Sequence, residues 1–164
     1  MPAHCMTCLC SGWLDLGATD KALVLFRRGY ANAQKPFQVW TEGADGTGCT
    51  TFLTGAGGFL QSVWAGYGGV RFERDDALTI RSPRPLPNST ALRLRGVHYL
   101  GARLDIEARL GFWTIALSSA SAESAPALEL VMKQRDRGVG AGVPITHTPL
   151  RRSEGEEGYV RVSE

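Results

Sequence analysis

The stretch VWTEGADGTGCTTFLTGAGGF, Val39 to Phe59, sets two carboxylates, Glu42 and Asp45, just after Trp40 and inside a run of glycines. A positioned carboxylate can take a proton from water or give one to a leaving group. Gly43, Gly46 and Gly48 carry no side chain, so the backbone there can come close to a bulky polar ligand. Residue type alone favours a plainer reading, in which a glutamate ahead of a glycine loop is a surface acid or a cap. The glycines do not make a phosphate cradle, because the Walker spacing with its Lys-Ser/Thr pair and the strand-to-helix setting are missing. Gly55, Gly57 and Gly58 are expected to permit close helix packing instead.

Cysteine is the other reactive residue type. Cys5, Cys8 and Cys10 fall in CMTCLC, and Cys49 stands far off in the glycine-rich stretch. Structural zinc wants a second paired knuckle, and His4, His98 and His147 are scattered, so small buried thiols on a helix are expected in place of a metal site. No cofactor is implied.

The surrounding chain bounds the function. Its 164 residues carry 18 basic and 16 acidic side chains spread without a stripe, which argues against nucleic acid as a partner. No apolar run reaches the roughly 18 residues that span a bilayer, so no membrane role is expected. The first residues lack the order of a signal peptide, making a cytoplasmic or otherwise unsorted chain the default. Asn88-Ser89-Thr90 fits a glycosylation sequon but is expected to be only a polar turn.

Periodicity divides the chain near Gly66 to Gly69. Before it, Met6 to Leu16 predicts a helix closed by Gly17. Leu23, Phe26 and Tyr30 predict a second, capped by Thr19 or Asp20 and stopped by Pro36, and Phe59 to Trp64 mark a third. After it, VRFER, ALTI, LRLRGVHYL, ARLDIEARL, FWTIAL and ALELVM predict an antiparallel meander and a β-sandwich. Leu104, Ile106, Ala108 and Leu110 should face the core, and Arg103, Asp105, Glu107 and Arg109 the solvent. SPRPLPNS, Ser82 to Ser89, reads as a connecting loop or edge. Beyond Arg135 no period is sustained, and residues 136–164 are expected to be loose or disordered.

Three short helices cannot readily enclose Trp13, Phe26, Tyr30, Phe37, Trp40, Phe52, Phe59 and Trp64, since each such ring buries about 150–250 Å² in a finished core. The segment PFQVWTEGADGTGCTTFLTGAGGFLQSVWAGYGGVRF resembles the end of the catalytic domain of glycoside hydrolase family 65. The likeness begins near GWLDLG, is densest from Pro36 to Arg71, and fades through LRGVHYLGARLDI. Its distinctive part is Trp-Thr-Glu followed by Phe-Leu-Thr-Gly-x-Gly-Gly-Phe-Leu-Gln.

What the resemblance implies is an α+β piece of a longer architecture. Residues 1–67 would be the last helices of an (α/α)6 barrel and residues 68–135 a C-terminal antiparallel β-sandwich. The activity implied is inverting hydrolysis of a glycoside, in the branch acting on glucosyl-galactosyl-hydroxylysine of collagen-type glycans. That chemistry needs two carboxyl groups about 6.5–9.5 Å apart. The resemblance makes Glu42 the general base, with Trp40 against a sugar face and Asp45 binding hydroxyls or acting in place of Glu42. The general acid would lie on an earlier barrel segment, leaving these residues inactive by themselves. The phosphorylase branch carries a serine-rich segment resembling Arg-Thr-Ser-His-Gly-Ser ahead of this region, and nothing like it occurs here. The alternative is a non-catalytic β-sandwich that binds carbohydrate or protein, which exposed aromatics such as Tyr99 or Trp113 would favour.

Overall fold

The computed structural model describes residues 3–72, 77–120, 126–134, 138–154 and 156–162. Two units divide between Tyr67 and Gly68, and each has its own core.

In the first unit α1 (Ala3–Asp15) and α2 (Thr19–Gly29) are joined by a tight reversal. Gly17, at φ +72°, donates to Leu14 O at 3.0 Å, and Ala18 donates to Trp13 O at 2.8 Å. This double closure satisfies carbonyls that a helix end leaves open and needs a left-handed residue, which glycine supplies. Because Ala18 also begins α2 by accepting from Ala22 N at 3.1 Å, neither Thr19 nor Asp20 caps it, contrary to expectation. The connection is too short to leave either one outside the helix. Ala22, Phe26 and Gly29 recur on the buried face of α2. The helix ends there, well before Pro36.

A two-residue ladder follows, β1 (Ala33–Gln34) with β2 (Val39–Trp40). Then α3 (Leu53–Gln61) runs into a π-helical turn, Ser62–Tyr67. The third helix therefore starts six residues before Phe59, through glycines that lower helix propensity. Gly55 tolerates this because a Cβ there would lie 2.6 Å from the Phe52 ring, whereas Gly57 meets nothing within 4 Å and is not a packing position. Phe26, Tyr30, Phe59 and Tyr67 form one aromatic cluster, with Phe26 5.0 Å from Tyr67 and 5.3 Å from Phe59 between centroids. Much apolar surface still stays outside it: Leu16 and Leu53 are each 76% exposed and Phe37 86%.

Cys10 is fully buried and its Sγ donates to Ala22 O at 3.4 Å. Burial pushes its thiol up to about 11. The side chains of Cys5 and Cys8 lie outside the described part, and no metal-binding cluster occurs among the described residues. At about pH 8, where the thiolate is the reactive form, iodoacetamide is expected to modify exposed Cys49 in the folded chain. Cys10 should be modified only after denaturant is added. Peptide masses distinguish the two sites, and equal labelling of both would contradict this placement.

The second unit holds two antiparallel sheets. One has the order β10 (Leu150–Ser153), β7 (Phe112–Ala120), β6 (Ala102–Arg109), β5 (Ala91–Tyr99). The other runs β3 (Val70–Phe72), β4 (Leu78–Arg81), β11 (Glu157–Val162), β8 (Leu128–Gln134), β9 (Gly138–Pro144). On β6 the alternation holds: Leu104, Ile106 and Ala108 are buried while Arg103, Asp105, Glu107 and Arg109 are not. Leu110, expected on the core face, is 75% exposed, because the chain reverses there and the strand has ended. Ser82 to Ser89 forms no strand, yet Pro83 and Pro85 are buried. Around the sequon Ser89 N donates to Leu86 O at 3.0 Å, closing a turn.

The expectation of a loose segment over 136–164 is corrected. Strands β9, β10 and β11 are built from it, and β11 is paired on both sides, with β4 and with β8. Residues 136, 137, 155, 163 and 164 lie outside the described part. Among the described residues no helix is long and apolar enough to cross a membrane.

Candidate active site

Glu42 stands two residues past the end of β2, after Thr41, and is held from two sides. Asn32 Nδ2 donates to its carbonyl at 2.7 Å, and its own N–H donates to Cys49 O at 3.0 Å. The chain from Gly43 to Gly48 is thus drawn into a closed loop, crossed again by Gly43 N to Thr47 O at 2.9 Å. The same loop returns to the side chain, where Cys49 N–H donates to Glu42 Oε2 at 3.1 Å. No second donor binds the carboxylate among the described residues, and Glu42 is exposed. One oxygen is therefore fixed and the other left to solvent.

Gly48 makes this possible. Its φ is +74°, and a Cβ there would meet Glu42 Oε2 at 2.7 Å and Glu42 Cβ at 2.8 Å. Beneath the loop, Thr41 is buried. Its hydroxyl accepts from Gln34 Nε2 at 3.0 Å and donates to Gly43 O at 2.7 Å. Gln34 Nε2 also reaches Ala44 O at 3.0 Å. These supports were not read from the sequence. Only Gly48, six residues past the acid, offered a signal.

Trp40 ends β2, just before Thr41, and is half-buried. Its Nε1 donates to Gly29 O at 2.9 Å and its ring lies 5.4 Å from that of Phe59. Phe52 N donates to Trp40 O at 2.8 Å. The indole thus ties the segment bearing Glu42 to α2 and α3, and only the rest of its ring is open.

Asp45 stands at the loop tip. Its Oδ1 accepts from Thr47 Oγ1 at 2.6 Å and Thr47 N at 3.2 Å. The hydroxyl bond first, then the amide bond, holds the carboxyl below its ordinary value of 3.8. An ionised Asp45 has no proton to give near neutral pH, which makes it unfit as a general acid. Because the pKa is depressed in the folded loop, these bonds are complete above pH 3.8 and are lost as pH falls through the lower folded value. The Thr47 amide resonance is accordingly expected to titrate with a midpoint below 3.8. A midpoint at or above it would contradict the tether.

Tyr99 and Trp113, the aromatics on which a sheet-borne ligand face would depend, are both buried, at 8% and 0% exposure. They offer no outward platform.

No family model matches the chain. A Danio rerio protein named protein-glucosylgalactosylhydroxylysine glucosidase is 49% identical over 104 residues, covering 63% of this chain and 14% of that protein. A Gallus gallus protein of the same name is 34% identical over 134 residues, 81% of this chain and 18% of its own length. A kojibiose hydrolase from Mucilaginibacter mallensis is 36% identical over 83 residues, half of this chain and 12% of that protein. Among solved structures, one from the human microbiome named for a kojibiose phosphorylase aligns with TM-score 0.62 and 13% identity, over 97% of this chain and 19% of that one. That likeness speaks to the fold alone. The chain spans less than one fifth of each of these relatives. Over part of its length, then, the chain is homologous to the glycoside hydrolases named protein-glucosylgalactosylhydroxylysine glucosidase.

Proposed function

We propose that this chain supplies the general-base side of an inverting glycosidase site, acting on glucosyl-galactosyl-hydroxylysine, within a longer architecture. The observation that carries the reading is the tethered carboxylate of Glu42. One oxygen is held by the Cys49 amide while the other is open to water, which is the arrangement a base needs to draw a proton from an attacking water. The open edge of Trp40 would flank the sugar. Asp45 is the lesser candidate, able to accept hydroxyl protons at the loop tip.

On this reading Asp45, held ionised, does not serve as the general acid, which would lie on an earlier barrel segment. The first unit would be the closing helices of an (α/α)6 barrel, and its exposed Leu16, Phe37 and Leu53 would pack on further helices. The two sheets of the second unit would be the C-terminal β-sandwich.

The test joins this chain, in frame, behind the part of the Danio rerio relative that precedes its matching residues. The chimera is expected to release glucose from glucosyl-galactosyl-hydroxylysine with inversion at the anomeric carbon, and the chain alone to release none. Retention of configuration, or turnover by the chain alone, would refute the assignment.

A further inference from the structure

Three hydrogen bonds hold Glu42 among the described residues. Its N–H donates to Cys49 O at 3.0 Å, its Oε2 accepts from Cys49 N at 3.1 Å, and its carbonyl accepts from Asn32 Nδ2 at 2.7 Å. Cys49 makes two of the three, from inside the glycine-rich segment that follows the acid. Glu42 and Cys49 are thus a closed pair, able to shift as one body with that segment. The Asn32 bond is of another kind, because it comes from a residue ten positions earlier, between α2 and β1.

The local course of the chain explains why a side chain is needed there. Pairing of the two short strands continues one step past Ala33 and Trp40, where Thr41 N donates to Asn32 O at 3.1 Å. Ahead of Asn32 the backbone has turned back to α2: Ala31 N donates to Arg28 O at 3.2 Å and Ala33 N to Tyr30 O at 3.1 Å. The backbone is spent on that turn, and the Asn32 amide carries the connection on to Glu42. Asn32 is itself steadied, since its carbonyl also lies 3.3 Å from Gln34 Nε2.

What the bond fixes follows from peptide geometry. The N–H of Glu42 belongs to the rigid plane shared with Thr41, and its carbonyl to the plane shared with Gly43. Cys49 O holds the first plane and Asn32 the second. Gly43, with its wide backbone freedom, would otherwise let the second plane turn. Once both planes are set, so is the direction of the Glu42 Cα–Cβ bond, and the carboxylate moves only about side-chain torsions that the Cys49 N–H restrains. Such placement matters, because a reacting group displaced by about 1 Å can cost on the order of 10²-fold in rate.

We propose that Asn32 is a positioning residue for the glycosidase site: its amide fixes the main chain of Glu42 and thereby aims the carboxylate at the attacking water. The proposal rests on Glu42 being the general base. An uncharged amide suits the task, since it donates to the carbonyl without setting a second charge beside the acid.

The test has a structural arm and a kinetic one. In the full chain, a long-range HNCO spectrum should show coupling from Asn32 Nδ2 to the Glu42 carbonyl carbon, and its absence would overturn the proposal whether or not any variant folds. In the chimera, Asn32→Asp keeps the shape of the side chain and removes the donor. It is expected to lower kcat about 10- to 100-fold with KM changed less than about twofold. Added to Glu42→Gln, the same substitution should cost less than about threefold, because the group it aims is gone. A residue that only supports folding would lower activity by the same factor in both backgrounds, and that result would overturn the proposal. Unchanged kcat in Asn32→Asp, beside a large loss in Glu42→Gln, would overturn it too and leave the base standing. A loss below about tenfold in Glu42→Gln would instead remove the base, and the positioning role with it.

Discussion

Replacing Glu42 by Gln in the chimeric glycosidase is expected to lower kcat by a factor of about 10²–10⁴, the usual worth of a positioned general base. KM should change little, because the loss falls on proton transfer in the transition state and not on holding the sugar. The substitution is nearly isosteric, and the amide oxygen of Gln can still accept the Cys49 N–H that now binds Oε2 at 3.1 Å. The thermal midpoint should therefore stay where it was. A second arm uses Glu42→Ala with added azide. Without the base, azide can attack the anomeric carbon directly, needing no proton removed, and should give a glycosyl azide of inverted configuration. A kcat loss below about tenfold for Glu42→Gln, or a large fall in melting temperature with it, would mean that Glu42 serves the loop and not the reaction.

Gly69→Ala should be the most damaging single-atom change in the second unit. A Cβ there would lie 2.2 Å from Arg81 O and 2.9 Å from Arg81 C, and the residue's φ is +68°. The obstacle is backbone, so no side chain can rotate away. Gly69 O also accepts Arg81 N at 2.9 Å, so moving apart breaks the bond that seats β3 on β4. Left-handed strain of about 1–2 kcal/mol and overpacking of about 1–3 kcal/mol together predict a loss of about 2–5 kcal/mol. Gly17→Ala provides the control, since Gly17 has φ +72° and nothing within 4 Å of its added Cβ. It should cost only the strain, about 1–2 kcal/mol. Urea unfolding of both variants checks the pair, and equal losses would show that the close approach to Arg81 contributes nothing.

Much of the fold was legible wherever the residues that shape an element lie within it. The meander of β5, β6 and β7 declared itself through strict alternation, as with Leu104, Ile106 and Ala108 against Arg103, Asp105 and Glu107. Gly17 and the apolar positions of α2 likewise marked a helix end and a helix face. What escaped were elements fixed by distant partners. Strand β9 is GVGAGVP, with little β propensity of its own, and gains its place by pairing with β8. Strand β10 has four residues, two of them arginines, and rests on β7. The start of α3 at Leu53 escaped because its glycines lower helix propensity and the space that Gly55 leaves for Phe52 is a tertiary fact.

The candidate site divides in the same way. Glu42 stands out only through the family likeness of the motif around it, since residue type alone reads it as a surface acid or a cap. Its tether could not be read at all, because Asn32 and Cys49 reach it from either side, and Gln34 supports the loop through Thr41 and Ala44, by hydrogen bonds that no spacing rule encodes. Trp40 also has a structural part that spacing did not reveal, since its N–H binds Gly29 O and its ring lies against that of Phe59.

Strand β11 sits between β4 and β8, although β4 is completed some 75 residues earlier in the chain, at Arg81 as against Glu157. On the ribosome, β3 and β4 therefore emerge as a hairpin whose inner edge has no neighbour until β11 is made. An unpaired edge is a template for association with other chains, and pairings this far apart in sequence form slowly. The nascent chain thus carries an open strand edge through the synthesis of every strand from β5 to β10, and only β11 closes it.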